Sequence, residues 1–239
     1  MNVGDWKILW RTIGFVVMLV VCGGLLFPSG HGREPARRAD AMNNLKQIGF
    51  AFSSKWNTDP YARIPPVAIL DEKGQPLLSW RVLLLPHLGE RELFEQFDLT
   101  KPWDSPENLP LVQKMPGVFA SPFSRDAAKQ GKTPCKAIAN DNTPWNTAWP
   151  TQGEKLTFRD FKDGMSNTAL VVEDLTDPVI WTKPEDINPT EYLKTLDHGQ
   201  WVSKTFLIGF ADGSVRVFVD PTEEEILPLL YADDGKVAE

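Results

Sequence analysis

One apolar segment near the N-terminus constrains this chain more than any other feature. Residues 8–27 read ILWRTIGFVVMLVVCGGLLF, and the sixteen residues from Thr12 to Phe27 carry no charge. Twenty helical residues rise roughly 30 Å, which is enough to cross the hydrocarbon core of a bilayer. The sequence PSGHGREP follows and favours a break in the helix. We therefore predict a membrane anchor and break in residues 1–35, and one exported domain in residues 36–239.

Three fates are open to this segment. A retained signal anchor is the preferred interpretation, because no small-x-small cleavage site follows the apolar core. A cleaved secretory signal would need such a site. A lipoprotein signal would use Leu19-Val20-Val21-Cys22, where Val21 occupies a position that favours a small residue. Basic residues flank both ends of the segment, so charge alone does not set its orientation.

The distribution of charge bears on the partners of the chain. The net charge is −7, but residues 1–38 hold five basic and two acidic residues, a net of +3, which leaves −10 on the remaining 201 residues. An acidic domain is repelled by phosphate backbones, so we expect no nucleic-acid partner. The basic end beside an apolar segment suits a membrane surface. Two cysteines and three histidines, without Cys-x-x-Cys or His-x-x-x-His, do not predict a zinc site.

Two patterns predict an α+β domain with an antiparallel sheet packed on an amphipathic helix. In residues 36–56, Leu45, Ile48, Phe52 and Trp56 recur at three- and four-residue spacing, which is typical of one apolar helical stripe. The stretch TFLIGFADGSVRVFV places two apolar runs around Asp212-Gly213, the preferred pair for a type I′ hairpin. Pairing outward from that turn predicts a core face made of three cross-strand pairs: Phe210 with Val215, Ile208 with Val217, and Phe206 with Val219.

The stretch LLSWRVLLLPHLGERELFEQF resembles a catalytic constellation. Ser79, Arg81, His87 and Glu90 lie within a dozen residues of one another. A Ser-His-acid triad, however, needs an exposed nucleophile on a strained turn such as Gly-x-Ser-x-Gly, which does not occur here. We interpret the residues as architecture. Arg81 is expected to cap carbonyl groups or to pair with an acid such as Glu90 or Asp104, and His87 to satisfy a loop carbonyl.

Three further groups of residues could bind a ligand, and for each we prefer a structural interpretation. Asp197, His198 and Asp212 could hold a divalent ion, but Asp-Gly is the ordinary hairpin pair. Asp160, Asp163 and Asn167 lack the alternating acidic spacing of a calcium loop. Trp145 and Trp149 could stack on sugar rings, although buried anchors of a long loop are commoner. No catalytic, cofactor-binding or metal-binding residue is therefore predicted.

Several motifs in order resemble a large planctomycete family of unknown function. They are NNLKQIGFAF, LLSWRVLLLPHL, PWDSPEN, FRDFKDGMSNTALVVED and FADGSVRVF, and they extend from about residue 37 to residue 220. Members of that family have prepilin-type N-termini and a C-terminal His-x9-Asp-Gly signature. The resemblance implies a pilin-like architecture on the exported side of the membrane, and brings no established activity.

This chain departs from the family pattern at three places. Leu19 stands where the prepilin site has Glu, and Pro28, Gly30 and Gly32 interrupt the helix that would join membrane to domain. Thirteen residues, not nine, separate His198 from Asp212. We expect a membrane-anchored, pseudopilin-like protein that acts in envelope structure or secretion through protein partners, without catalysis or cofactor. An exported ligand-binding module, perhaps for carbohydrate, is the alternative.

Overall fold

The computed structural model describes residues 33–54, 66–139, 143, 145, 161–197 and 205–231. The apolar segment at residues 8–27 lies outside them, so the membrane helix stays a prediction. Within the described residues, no helix combines the length and apolar character that crossing a bilayer requires. The chain divides into two units, residues 1–39 and residues 40–239. In the first, Arg38 pairs with Glu34 one helical turn away, at 3.2 Å.

The described residues form helices and antiparallel strands. The helices are α1 (Arg33–Ser54), α2 (Trp80–Leu84), α3 (Arg91–Phe94), α4 (Arg125–Ala128), α5 (Pro189–Asp197) and α6 (Glu223–Ile226). The strands are β1 (Ala68–Leu70), β2 (Pro76–Ser79), β3 (Lys132–Thr133), β4 (Cys135–Ala137), β5 (Ala169–Glu173), β6 (Val179–Ile180), β7 (Thr205–Phe210) and β8 (Val215–Val219). Short 3-10 helices cover Leu85–His87, Leu109–Lys114, Gly117–Phe119 and Leu227–Leu229.

The main sheet has four strands in the order β4-β5-β7-β8, and each neighbouring pair is antiparallel. Every residue of β5 and β7 is buried, as expected for inner strands covered on both faces. Two smaller antiparallel pairs, β1-β2 and β3-β6, lie outside this sheet. Among the described strands, β4 and β8 are therefore the two edges of the main sheet.

The part of helix α1 that belongs to the second unit covers one face of the main sheet. Leu45, Ile48 and Phe52 are buried in one apolar cluster together with Val171 and Leu207 of the inner strands. The predicted helical stripe is confirmed for these three helix residues, and Trp56 lies outside the described residues. The opposite face is covered by a second cluster, to which α5, α6 and the 3-10 helix at Leu227–Leu229 contribute.

The hairpin between β7 and β8 lies where the sequence predicts it, but the type I′ turn is wrong. The Gly213 amide donates to the Phe210 carbonyl and the Phe210 amide to the Ser214 carbonyl, both at 2.9 Å. Gly213 has a φ of 85°, whereas Asp212 is not among the residues with positive φ. A type I′ turn needs positive φ at both positions. The connection is instead a three-residue loop, a type I turn followed by a left-handed glycine.

The extra loop residue shifts the strand register by one position. Ile208 pairs with Arg216 and Leu207 with Val217, whereas the predicted turn places Ile208 opposite Val217. The same shift replaces the other two predicted pairs, Phe210–Val215 and Phe206–Val219. A one-residue slip moves all side chains of a strand to the other face of the sheet. Val217 and Val219, predicted as core, are consequently 36% and 66% exposed.

Candidate functional site: the two edges of the main sheet

The junction of β2 and α2 buries the residues that first suggest an enzyme. Ser79 ends the strand and caps the helix, because its side chain accepts the Arg81 amide at 3.3 Å. Ser79, Trp80 and Arg81 all have 0% exposure. A fully buried arginine is costly unless its five N–H groups find partners. Ser79, Trp80, Arg81 and the groups that contact them are called the Arg81 cluster. The hydrogen-bond partners of Arg81 show whether this cluster has a structural or a catalytic role.

The Arg81 guanidinium is engaged on every side. Its Nε and Nη2 donate to the Cys135 carbonyl at 2.9 and 2.7 Å, and its Nη1 donates to Ser79 Oγ at 2.6 Å. Its Nη2 also pairs with Asp186 Oδ1 at 2.8 Å. The centre of the guanidinium lies 4.8 Å from the centroid of the Trp80 ring. The predicted capping of a carbonyl is confirmed, but the predicted acids are wrong, because the partner is Asp186 and not Glu90 or Asp104.

Asp186 is the second member of the cluster, and the sequence interpretation missed it. The same Oδ1 atom accepts the Trp80 ring N–H at 3.0 Å and the Ala137 amide at 2.7 Å. Asp186 and Arg81 are 105 positions apart in the chain. No spacing rule connects residues at such a distance, and Asp186 belongs to none of the motifs that resemble the planctomycete family. Its carboxylate side chain is only 5% exposed.

Together these contacts close the β4 edge of the main sheet. Cys135 and Ala137 point their backbone groups away from β5. Arg81 donates to the Cys135 carbonyl, Asp186 accepts the Ala137 amide, and the Cys135 amide donates to Thr133 Oγ1 at 3.0 Å. The Ala137 carbonyl accepts the Ile187 amide at 3.2 Å. Unpaired edge groups invite association with other chains, and proteins cover them in several ways. Here a buried ion pair and the parallel bridge between Ile138 and Ile187 cover the edge, which is a structural role.

His87, a member of the initial constellation, is not part of this cluster. It ends the 3-10 helix at Leu85–His87 and its side chain is exposed. Ser79 Oγ accepts hydrogen bonds from Arg81, which is not the environment of an activated nucleophile. The structure thus brings Ser79 and Arg81 together and leaves His87 and Glu90 at the surface.

The PWDSPEN motif also has an internal role. The Asn108 side chain is buried, and its Nδ2 donates to the carbonyls of Asp98, Lys101 and Pro102 at 3.0–3.1 Å. Its Oδ1 accepts the Asp98 amide at 3.0 Å. One side chain therefore satisfies several backbone hydrogen-bonding groups in the loop at residues 98–108. A buried amide with this many partners is a strong local constraint on the backbone.

Trp145 is a core residue, as the structural interpretation expects. It has 0% exposure, and its Nε1 donates to the Leu170 carbonyl at 2.6 Å. Its ring packs against Trp80 and Phe52, with centroids 4.8 and 5.1 Å apart. No face of this indole is open to a sugar. Trp149 lies outside the described residues.

The candidate cation ligands are only partly within the described residues. Asp212 acts as a turn residue, because its Oδ1 accepts the Ser214 amide at 2.8 Å. Asn167 Oδ1 accepts a hydrogen bond from Arg216 at 3.1 Å, so this oxygen faces a cation already. Asp160, His198 and the Asp197 side chain lie outside the part of the chain that the structure describes. Within the described residues, no group of three His, Cys, Asp or Glu side chains could hold a metal ion.

The β8 edge contrasts with the β4 edge. Among the described strands, β8 pairs with β7 alone. Val217 and Val219 are exposed on it, although apolar side chains are favoured in the core. Leu109 and Phe50 are the other large apolar residues counted as exposed in the described part of the chain. Within the part of the chain that the structure describes, the main sheet therefore has one covered edge and one open, partly apolar edge.

Comparison with known proteins gives one match, to a protein family. A family model described as "Protein of unknown function (DUF1559)" matches residues 30–204. No curated protein and no solved structure matches the chain. The expected membership of a family of unknown function is confirmed at that level. The prepilin-type N-terminus and the His-x9-Asp-Gly signature stay predictions.

Proposed function

We propose that this chain, which belongs to the DUF1559 family of proteins of unknown function, is a membrane-anchored interaction protein of the cell envelope. In this proposal the segment at residues 8–27 is a retained single-pass anchor, and the domain on the exported side has a pilin-like role in envelope structure or secretion. Its partners are other proteins and the membrane. It needs no cofactor and performs no catalysis.

The observation that carries this proposal is that the polar groups of the Arg81 cluster bond to other parts of the protein. An active site must offer polar groups to a substrate. The Arg81 guanidinium instead donates its hydrogen bonds to Ser79, Cys135 and Asp186. All of these contacts hold backbone or neighbouring side chains in place. The most enzyme-like part of the sequence is thereby accounted for as architecture, which favours a structural or interaction protein.

The alternative, a carbohydrate-binding module, has less support. Trp145 was one of its two candidate stacking residues, and it is enclosed by Trp80 and Phe52. A glycan-array experiment with Trp145→Ala would mainly report unfolding, because removing a buried Trp costs about 3–5 kcal/mol. Trp149→Ala is the variant that tests this alternative, and glycan binding that it abolishes would favour the carbohydrate module.

The first test concerns partners. The tagged full-length chain is recovered from detergent-solubilised membranes, and co-purifying proteins are identified by mass spectrometry. We expect envelope or secretion proteins to be enriched over a control with an unrelated single-pass protein carrying the same tag. Purified chain should also show no turnover on ester, glycoside or phosphate panels. Turnover that disappears in His87→Ala or His198→Ala would contradict the proposal.

The second test concerns the N-terminus and its orientation. Intact-mass and N-terminal analysis of membrane-extracted chain should give an uncleaved anchor, and protease added to spheroplasts should digest the domain. A mature chain that begins at Phe15 would show prepilin processing, and one that begins at diacylated Cys22 would show a lipoprotein. Complete protection of residues 36–239 would show that the domain faces the cytoplasm.

A further inference from the structure

Strand β8 offers backbone hydrogen-bonding groups on its outer side. The Phe210 amide donates to the Ser214 carbonyl, which fixes the alternation of the ladder that follows. In an antiparallel pair, successive residues point their backbone groups alternately toward and away from the partner. Arg216 and Phe218 therefore bond to β7, while Val215, Val217 and Val219 direct their amides and carbonyls outward. These groups can accept a further strand.

The side chains of the same three valines make the edge apolar. Val217 and Val219 are exposed at 36% and 66%, and Val215 packs against the cluster under α1. Edge strands are usually protected by an inward charge, a proline or a bulge. Arg216, the one charged residue within β8, is turned to the opposite face, where it lies 4.5 Å from the centroid of the Phe210 ring and bonds the Ser166 carbonyl.

Acidic residues lie at both ends of this edge. Asp212 precedes β8 and Asp220 follows it, and both side chains are exposed. The next turn of chain adds three exposed carboxylates at Glu223–Glu225. Between residues 212 and 225, five acidic residues thus stand against one basic residue. An incoming strand with positive charges at its ends would complement this field, whereas an acidic strand would be repelled.

A second copy of this chain fits the edge less well. Antiparallel pairing of β8 with itself would bring the acidic ends of the two copies together, and each copy has a net charge of −7. The strand also has only five residues. Stable dimers usually bury more than about 1,000 Å² in total, which a single short strand pair does not approach. An extended peptide needs less area, because main-chain hydrogen bonds supply much of its affinity.

We infer that β8 is a docking edge for an extended segment of another protein, which adds as a fifth strand to the main sheet. The segment has apolar or β-branched residues at alternate positions and Lys or Arg at its ends. This inference rests on the proposal that the chain is an interaction protein, and it names the surface and the chemistry of the partner. The closed β4 edge directs such strand addition to β8.

The test measures binding of a defined peptide to the full-length chain in detergent. The probe is fluorescein-labelled Lys-Lys-Val-Thr-Val-Thr-Val-Lys-Lys, and the matched control peptide has the same sequence with its central amides N-methylated. Fluorescence anisotropy should show saturable binding of the first peptide. N-methylation should weaken it at least about tenfold, because the backbone donors are removed while charge is retained. Binding should also weaken as the salt concentration rises.

Val217→Pro is the informative variant of the protein. Its amide points away from β7, so proline removes an outer donor and leaves the β7–β8 ladder intact. We expect the unfolding midpoint to change little and peptide binding to fall at least about tenfold. Val219→Lys should act in the same direction through charge and lost apolar contact. Leu109→Lys is the matched control, because it places the same charge on an exposed apolar residue of another element.

Several outcomes would overturn the inference. One is the absence of saturable binding by the unmethylated peptide. Another is equal binding of the methylated and unmethylated peptides, which would show attraction by charge alone. A concentration-dependent dimer in sedimentation that Val217→Pro removes would assign the edge to a second copy.

The same variant separates this inference from the proposed function. If Val217→Pro recovers the same envelope proteins as the parent chain and the parent does not bind the peptide, only the docking edge is wrong. If the peptide binds at β8 and no envelope protein is recovered from membranes, only the proposed function is wrong.

Discussion

Gly49 of α1 lies directly against Gly213 of the hairpin loop. An ideal Cβ on Gly49 would come within 2.8 Å of the Gly213 Cα atom and 3.5 Å of the Phe210 carbonyl oxygen. Both contacts are with backbone atoms, which cannot move aside by a rotamer change. The helix and the hairpin can approach this closely only because neither residue has a side chain at the contact.

Gly49→Ala should therefore destabilise the domain, although glycine to alanine in a helix interior ordinarily stabilises it. The propensity gain is about 1 kcal/mol, and relieving the overlap by backbone movement costs typically ~1–3 kcal/mol. We expect a lower urea midpoint, with the slope unchanged. Gly117→Ala is the control, because a Cβ there meets nothing within 4 Å. An unchanged or raised midpoint for Gly49→Ala would contradict the close approach.

Asp212→Gly distinguishes the observed loop from a type I′ turn. In a type I′ turn this residue has positive φ, so glycine should stabilise the hairpin. In the observed loop Asp212 has no positive φ and its carboxylate accepts the Ser214 amide. We expect a loss of about 0.5–1.5 kcal/mol, from one hydrogen bond and added backbone freedom. Stabilisation measured by denaturant titration would restore the two-residue turn.

Breaking the Arg81–Asp186 pair should be among the most damaging single changes. Arg81→Met leaves a buried carboxylate without its cation, which costs about 3–5 kcal/mol. The double variant Arg81→Met, Asp186→Leu should lose less than the sum of the single variants, and a double-mutant cycle measures this coupling. Lys129→Ala breaks an ion pair of the same length, 2.8 Å, whose Lys129 side chain is 75% exposed. It should change stability by less than about 0.5 kcal/mol.

Glu173 should make the folded state less stable as pH rises toward neutrality. It ends β5 opposite Cys135, and its Oε2 atom is buried without a hydrogen-bond partner. Burial raises the pKa of this carboxyl from 4.5 to about 7, against the opposing effect of a hydrogen bond with Ser121. Between these two pH values the folded state binds more protons than the unfolded state, so stability falls as pH rises. Above pH 7 both states are ionised and this contribution is constant.

Glu173→Gln tests that sign with little change in shape. The variant cannot ionise, so the fall in unfolding free energy between pH 4.5 and pH 7 that is due to Glu173, on the order of 2–3 kcal/mol, should disappear. At pH 8 the variant should be more stable than the parent chain. Denaturant titrations at several pH values measure both effects. An identical pH dependence in parent and variant would show that Glu173 has an ordinary pKa.

Local patterns were sufficient for the helix but not for the hairpin register. The spacing of Leu45, Ile48 and Phe52 reflects the helical period, and all three are buried. The Asp212-Gly213 pair correctly predicted the position of the turn. The length of the loop, however, depends on Ala211, whose amide donates a hydrogen bond to the Thr168 carbonyl of another segment at 3.1 Å. A tertiary contact thus selected a three-residue loop over the two-residue turn that the local sequence favours.

The candidate site shows a similar limit. The absence of a nucleophile motif around Ser79 was enough to interpret Arg81 as architecture. Its partner Asp186 could not be inferred, because the pairing depends on where β4 lies in the sheet. The position of β8 at an edge of the sheet could not be predicted either. Its alternating sequence pattern is the same for an edge strand as for an interior strand.

The closure of β4 has a consequence for the order of folding. The contacts that cover the β4 edge join Arg81 to Cys135, 54 positions away, and to Asp186, 105 positions away. They form only after these segments of the chain have met. Contacts of such sequence separation form late, because long loops must close first. During synthesis, residues 135–137 are made before residue 186. We expect the nascent chain to be most prone to aberrant strand pairing in that interval, and a chaperone that shields β4 would be needed only then.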